Sequence, residues 1–205
     1  MLVKVCGMRY GDNIREVESL GIDMMGFIFY PKSQRFVHEV PSYLPTRCKR
    51  VGVFVNSEIS EISRRQIDFG LDLIQLHGDE DIDYCKSLRI SLPSRCKLIK
   101  MVKVLCKESF EPLAAFSSLV DYFLFETPCN SYGGSGRQFD WALTRHYKED
   151  IPFLLTGGIG ADDWQQVNDF HHPQFAGIDL NSRFEVEPGL KSSEMLKGFL
   201  NKTRV

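Results

Sequence analysis

Val51-Gly52-Val53-Phe54-Val55-Asn56 is a strand-length apolar run that ends on a polar residue, and Ser57-Glu58-Ile59-Ser60-Glu61 opens a helix directly behind it. β-Branched and aromatic side chains without strict polar alternation suit a strand covered on both faces, as in a parallel sheet. A small or acidic first turn is a helix-start signal. The same unit recurs on both sides of this stretch. Apolar runs occupy residues 2–6, 25–30, 51–56, 72–77, 98–103, 121–126, 152–157 and 175–180, with amphipathic segments at 13–20, 57–69, 79–88 and 161–170. Strands alternating with helix-compatible segments imply right-handed βαβ units.

Cys6, Tyr30, Asn56, His77, Lys103, Glu126, Gly157 and Asp179 hold matching places near the ends of the eight runs, at separations of 24, 26, 21, 26, 23, 31 and 22 residues. Eight units of this length fill residues 1–205 as one α/β domain, a compact (β/α)8 TIM barrel. A doubly wound open sheet is the competing architecture, and it is disfavoured by eight strands with no GxGxxG turn.

Composition narrows the function classes. The 205 residues are 43% apolar and 25% charged, with 25 Lys+Arg against 27 Asp+Glu. Such a chain can bury a core without disulfide or metal staples. Its charge balance gives no pull toward nucleic acid or an anionic membrane. No apolar run approaches the roughly 20 residues of a membrane span. Met1-Leu2-Val3-Lys4-Val5-Cys6-Gly7 lacks the basic start and long apolar stretch of an export signal, so the expected compartment is the cytoplasm. Cys6, Cys48, Cys85, Cys96, Cys106 and Cys129 form no Cys-x-x-Cys pair, and His171-His172 precede Pro173; free thiols and no metal site are expected.

In a barrel of this kind, function belongs to the C-terminal strand ends and the loops after them. There the runs finish in Cys6, Asn56, His77, Lys103, Glu126 and Asp179. Thr156-Gly157-Gly158-Ile159-Gly160 and Asp179-Leu180-Asn181-Ser182-Arg183 follow the last two runs, where barrels often hold phosphate against backbone N–H groups. The glycine pair also reads as a tight strand-to-helix turn. Gly133-Gly134-Ser135-Gly136-Arg137 lacks the spacing and ending of a P-loop and reads as a covering loop, ahead of a helix opened by Phe139-Asp140-Trp141. Two rival functions stay open: a Schiff-base sugar-phosphate lyase or aldolase built on Lys103, and a non-catalytic barrel that binds a phosphosugar for regulation.

Several segments, in order and at barrel spacing, resemble the phosphoribosylanthranilate isomerase family. They include Lys4-Val5-Cys6-Gly7-Met8, Pro31-Lys32-Ser33-Gln34-Arg35-Phe36-Val37, Gln75-Leu76-His77-Gly78, Leu155-Thr156-Gly157-Gly158-Ile159 and Gly177-Ile178-Asp179-Leu180-Asn181-Ser182. The resemblance implies an Amadori rearrangement of N-(5-phosphoribosyl)anthranilate in tryptophan biosynthesis, with no cofactor and no metal. It implies a monomer or homodimer whose partner is the small phosphorylated sugar. By the same resemblance Cys6 is the general base, Glu126 the general acid and Arg35 the ligand of the anthranilate carboxylate. His77 and Asp179 help to position the sugar, and Gly157, Gly158, Asn181 and Ser182 hold its phosphate. One departure stands out: the family usually places Asp where this chain has Glu126, whose extra methylene adds about 1.5 Å of reach. Glu126 also reads as a structural carboxylate paired with Lys103 or Arg137.

Overall fold

The computed structural model describes residues 1–126 and 140–203. Eight parallel strands close into a barrel in chain order: β1 (Leu2–Cys6), β2 (Met24–Ile28), β3 (Lys49–Phe54), β4 (Leu73–Leu76), β5 (Lys97–Lys103), β6 (Tyr122–Glu126), β7 (Phe153–Leu155) and β8 (Phe175–Leu180). β1 completes the ring, with Lys4 opposite Met24 of β2 on one side and Asp179 of β8 on the other. Every apolar run of the sequence is a strand, displaced by no more than two residues at either end. Asn56, His77 and Gly157 therefore stand just beyond strand ends, on the loops at the C-terminal mouth.

Side-chain alternation builds the inside of the barrel in layers. Met24, Val51, Leu73, Ile99, Met101, Leu124 and Leu154 form one apolar cluster. Two residues further along β3, β4 and β6 on the same face come Val53, Gln75 and Glu126, all lining a cavity at the mouth. Thr156 follows Leu154 in the same way. The apolar layer is thus the floor on which the polar layer stands. Outside the strands a larger core, including Phe27, Phe69, Phe123, Phe125 and Phe153, packs against the helices.

The helical jacket is less regular than the sequence spacing suggests. α-Helices α1 (Gly11–Ser19), α2 (Ile59–Phe69), α3 (Ile82–Ser91), α4 (Trp164–Asp169) and α5 (Ser193–Thr203) follow β1, β3, β4, β7 and β8. The segment between β2 and β3 has no helix and carries Pro31, Pro41 and Pro45. Lys107–Phe116 after β5 is a 3₁₀ helix with Pro112 inside it. Trp141–His146, the described part after β6, is also 3₁₀, capped by the Asp140 side chain. Proline removes a helical donor and clashes with the preceding turn, which accounts for the first two cases. The β2–β3 segment is held instead by Glu18 of α1. Its carboxylate accepts from the backbone N–H groups of Thr46, at 2.6 Å, and Arg47, and from the Tyr43 hydroxyl.

A short antiparallel hairpin, β9 (Glu185–Glu187) and β10 (Leu190–Lys191), follows β8. Asn13 of α1 clamps Lys191 through two 2.8 Å bonds to its backbone N–H and carbonyl. This fixes the hairpin against the start of the barrel. No helix of the described residues is long and apolar enough to cross a membrane. The five described cysteines, Cys6, Cys48, Cys85, Cys96 and Cys106, are free thiols.

Candidate active site

The mouth of the barrel holds a cavity of about 780 Å³, counting its open side. Cys6, Arg35, His77, Glu126, Gly157, Gly158, Asp179, Asn181 and Ser182 all line it. Residues chosen from six separate stretches of sequence are thus brought to one opening. Cys6 comes from β1 and Glu126 from β6, strands separated by β7 and β8 around the ring. Thiol and carboxyl therefore stand on different walls of a shared space. The Gly133–Arg137 covering loop, Phe139 and Cys129 lie outside the described residues.

Cys6 is seated by its neighbours. Gly26 of β2 is its ladder partner, and a Cβ at position 26 would lie 2.7 Å from the Cys6 sulfur, so glycine is what leaves room for the thiol. Lys4 lies two residues earlier on the same strand face and is fully buried. Its Nζ donates to Oδ2 of Asp179 at 2.9 Å. Burial by itself lowers the Lys4 pKa, but Asp179 and Cys6 outweigh it and hold the ammonium above its ordinary value. Burial pushes the Cys6 thiol up, and the nearby Lys4 and Lys191 ammonium groups only partly offset it. The Asp179 carboxyl is pushed up by the same burial against the pull of Lys4, so each partner's charge depends on the other. Asp179 acts as the counter-ion of Lys4. Its Oδ1 is buried and has no hydrogen-bond partner among the described residues.

Glu126 does not form an ion pair with Lys103, and Arg137, the other partner that the sequence suggested, lies outside the described residues. Oε2 of Glu126 lies 3.2 Å from Nε2 of His77, and the Nδ1 of His77 lies 3.0 Å from the amide nitrogen of Gln75. Lys103, although paired in register with Glu126, has an exposed side chain off this cavity, in a separate depression with Asp79, Asp81 and Pro112. The structure does not bring it to the site, which removes the sheltered environment that a Schiff-base lysine requires.

Arg35 is held by the hairpin. Its Nε and Nη2 donate to the two carboxylate oxygens of Glu185 at 2.6 to 3.1 Å, a bidentate pair. The same carboxylate accepts from Lys191 Nζ at 2.5 Å and from the Gly189 N–H at 3.0 Å. Burial raises the Glu185 pKa, but Arg35 and Lys191 override it and hold the carboxyl below its ordinary value. Lys191 also donates to Oδ1 of Asn181 at 2.7 Å, so the Asn181 side chain is already engaged. Gly157 and Gly158 both take positive φ, +92° and +72°, a backbone only glycine adopts without strain. Thr156 Oγ1, donating to the Asp179 carbonyl at 3.2 Å, ties this turn to the end of β8. Arg183 lines the cavity beside Gly160 and adds a cation to the same side.

Sequence reasoning missed Lys4, Gln75, Glu185 and Lys191. Lys4 and Gln75 carry a local signal, because a long polar residue inside an apolar strand is buried only when paired. Both stand two places before a chosen site residue and so share its face. Glu185 and Lys191 lie on a hairpin that no apolar run announces.

Taken together, a closed eight-stranded barrel with a thiol, a carboxyl and a glycine turn at its C-terminal mouth has the architecture of a (β/α)8 enzyme with its site at the usual face. The chain belongs to the family described as N-(5'phosphoribosyl)anthranilate (PRA) isomerase, whose pattern matches residues 3–202. It is 46% identical to the N-(5'-phosphoribosyl)anthranilate isomerase of Parabacteroides distasonis, over 98% of this chain and 92% of that one. The crystal structure of phosphoribosyl anthranilate isomerase from Thermotoga maritima superimposes with a TM-score of 0.84 at 30% identity, covering 100% of this chain and 99% of that one. A second crystal structure, at 27% identity and a TM-score of 0.79 over 100% and 98% of the two chains, is of a phosphoribosyl anthranilate isomerase in complex with reduced 1-(o-carboxyphenylamino)-1-deoxyribulose 5-phosphate.

Proposed function

We infer that this chain isomerises N-(5'-phosphoribosyl)anthranilate to 1-(2-carboxyphenylamino)-1-deoxyribulose 5-phosphate, an aldose–ketose rearrangement of tryptophan biosynthesis, in the cytoplasm and without a cofactor. The observation that carries the reading is the convergence of Cys6 and Glu126 on one cavity beside the Gly157-Gly158 turn. The reaction needs an acid on the ring oxygen and a base at C2 of the sugar, and two groups on different walls meet that need.

In the first step Glu126 gives its proton to the ring oxygen as the C1–O bond breaks. The bonding pair goes to that oxygen, and the anthranilate nitrogen lone pair closes a C=N bond. In the second, Cys6 removes the proton from C2, and the electrons neutralise the iminium to leave an enolamine that tautomerises to the ketone. Burial keeps the resting thiol protonated, so Cys6 first gives its own proton to solvent; the positive iminium, with Lys4 and Lys191, favours the thiolate that then takes the C2 proton. Arg35 has one edge on Glu185 and keeps its Nη1 hydrogens and the second Nη2 hydrogen for the anthranilate carboxylate. Gly157, Gly158, Asn181 and Ser182 offer backbone N–H groups to the phosphate, and Asp179 and His77 face the sugar between.

Loss of the fluorescence of phosphoribosylanthranilate on adding the protein tests this directly. Cys6→Ala and Glu126→Gln are each expected to lower turnover by at least about a hundredfold with the fold intact. A Glu126→Gln enzyme at near-normal turnover removes the acid assignment. Binding without turnover in the wild type returns the regulatory barrel instead.

A further inference from the structure

Gln75 is 1% exposed, yet half of its amide is unused: Oε1 is buried and has no hydrogen-bond partner among the described residues. Its nitrogen makes one bond, to Nδ1 of His77 at 3.0 Å. A leucine would fill a similar volume on the same strand face and leave no orphaned oxygen. What leucine cannot supply is the bond to the imidazole.

That bond decides where the imidazole carries its hydrogen. An amide nitrogen has hydrogens and no available lone pair, so Nδ1 must accept. The hydrogen of neutral His77 then sits on Nε2, which faces Oε2 of Glu126 at 3.2 Å and donates to it. With Oε2 accepting, Oε1 of Glu126 is left to carry the proton toward the substrate. As that proton leaves, the Nε2–H bond becomes a bond to an anion and strengthens, so it favours the transition state over the ground state. In the opposite tautomer a bare Nε2 would face the carboxyl and draw the proton into the imidazole instead.

We propose that Gln75 is a positioning residue for the reaction: by bonding Nδ1 it fixes His77 as the Nε2–H tautomer, and His77 in turn steadies Glu126 as a proton donor with its free oxygen toward the substrate. The proposal rests on Glu126 being the acid, as read above, and it gives the extra methylene of Glu126 a place, since the longer arm lands on His77.

Two measurements test it. ¹⁵N NMR of the wild type reads the tautomer with no mutation: Nδ1 of His77 is expected to be unprotonated and Nε2 protonated. The reverse assignment overturns the proposal, whatever the activity. Gln75→Leu is expected to lower kcat about tenfold with KM within about threefold, to leave the thermal midpoint unchanged or higher, and to show Nδ1 of His77 partly protonated. Normal kcat in this variant overturns the proposal. So does a loss of kcat that comes with an equal loss of stability and an unchanged tautomer, which is what a merely structural glutamine would give. Should Gln75→Leu fail to fold, Gln75→Met serves with the same expected outcomes. A wild type that fails to turn over phosphoribosylanthranilate, with the tautomer as expected, overturns the functional reading and not the bonding of Gln75.

Discussion

A tight constraint on the chemistry is at Gly26, where one hydrogen in place of a methyl makes the seat of the thiol. A Cβ there, 2.7 Å from Sγ, must push Cys6 off its place, because the flanking ladder fixes the backbone of both strands. A displacement of about 1 Å from productive geometry costs on the order of a hundredfold. Gly26→Ala is therefore expected to lower kcat ten- to a hundredfold while KM moves little, measured by steady-state kinetics; unchanged kcat would mean that the sulfur has freedom the cavity does not suggest. That Cys6, His77, Glu126 and Asp179 line the mouth was legible because each ends or follows a strand, whereas Arg35 was raised only by the family motif. Their partners were not legible. That Glu126 meets His77 and not Lys103, or that Arg35 rests on Glu185, depends on which strands become neighbours and on side-chain reach across them, and neither is written in local pattern.

Among the elements, the segment between β2 and β3 shows how an irregular stretch is fixed without a helix. Glu18 collects two successive backbone N–H groups and a phenol there, doing for the chain what helical hydrogen bonds do elsewhere. Burial raises the pKa of this carboxyl, but those donors more than reverse it, so the folded value lies below the ordinary one. The sign follows: the unfolded chain takes up the proton first, so the stabilisation is full above the ordinary glutamate range near pH 4.3 and is lost as pH falls through the folded value. Glu18→Gln is expected to cost about 1–3 kcal/mol at pH 7, with the gap to wild type closing as the medium is acidified; urea unfolding across that range measures it. A gap that stays constant into acid would show that charge is not the reason. Strands were legible to within two residues because a continuous apolar run of that length has few other fates in an α/β chain. The amphipathic segments at 13–20, 57–69, 79–88 and 161–170 likewise became α1 to α4, with shifted ends. The crossovers after β2 and β5 were not legible, since spacing alone predicts a crossover and says little of its form; Pro112 and the prolines at 31, 41 and 45 carried the missing information.

At the scale of the whole molecule, the barrel is closed by a buried charge pair. Lys4 and Asp179 meet across the β1–β8 seam at a sequence separation of 175. Removing one partner strands the other charge in the interior, so Lys4→Met is expected to destabilise by about 3–5 kcal/mol, and Asp179→Asn added to it should recover part of the loss. A denaturant double-mutant cycle reads the coupling, and simple additivity would deny it. The same seam has a bearing on biosynthesis of the chain itself. While a ribosome is still extending the polypeptide, β1 already holds an ammonium group whose counter-ion, on β8, is made only later. Closure of the ring, and with it the neutralisation of Lys4 and the arrival of the Asp179–Ser182 wall of the cavity, therefore waits for β8, so that a product cut short before β8 is expected to be open and accessible to proteolysis.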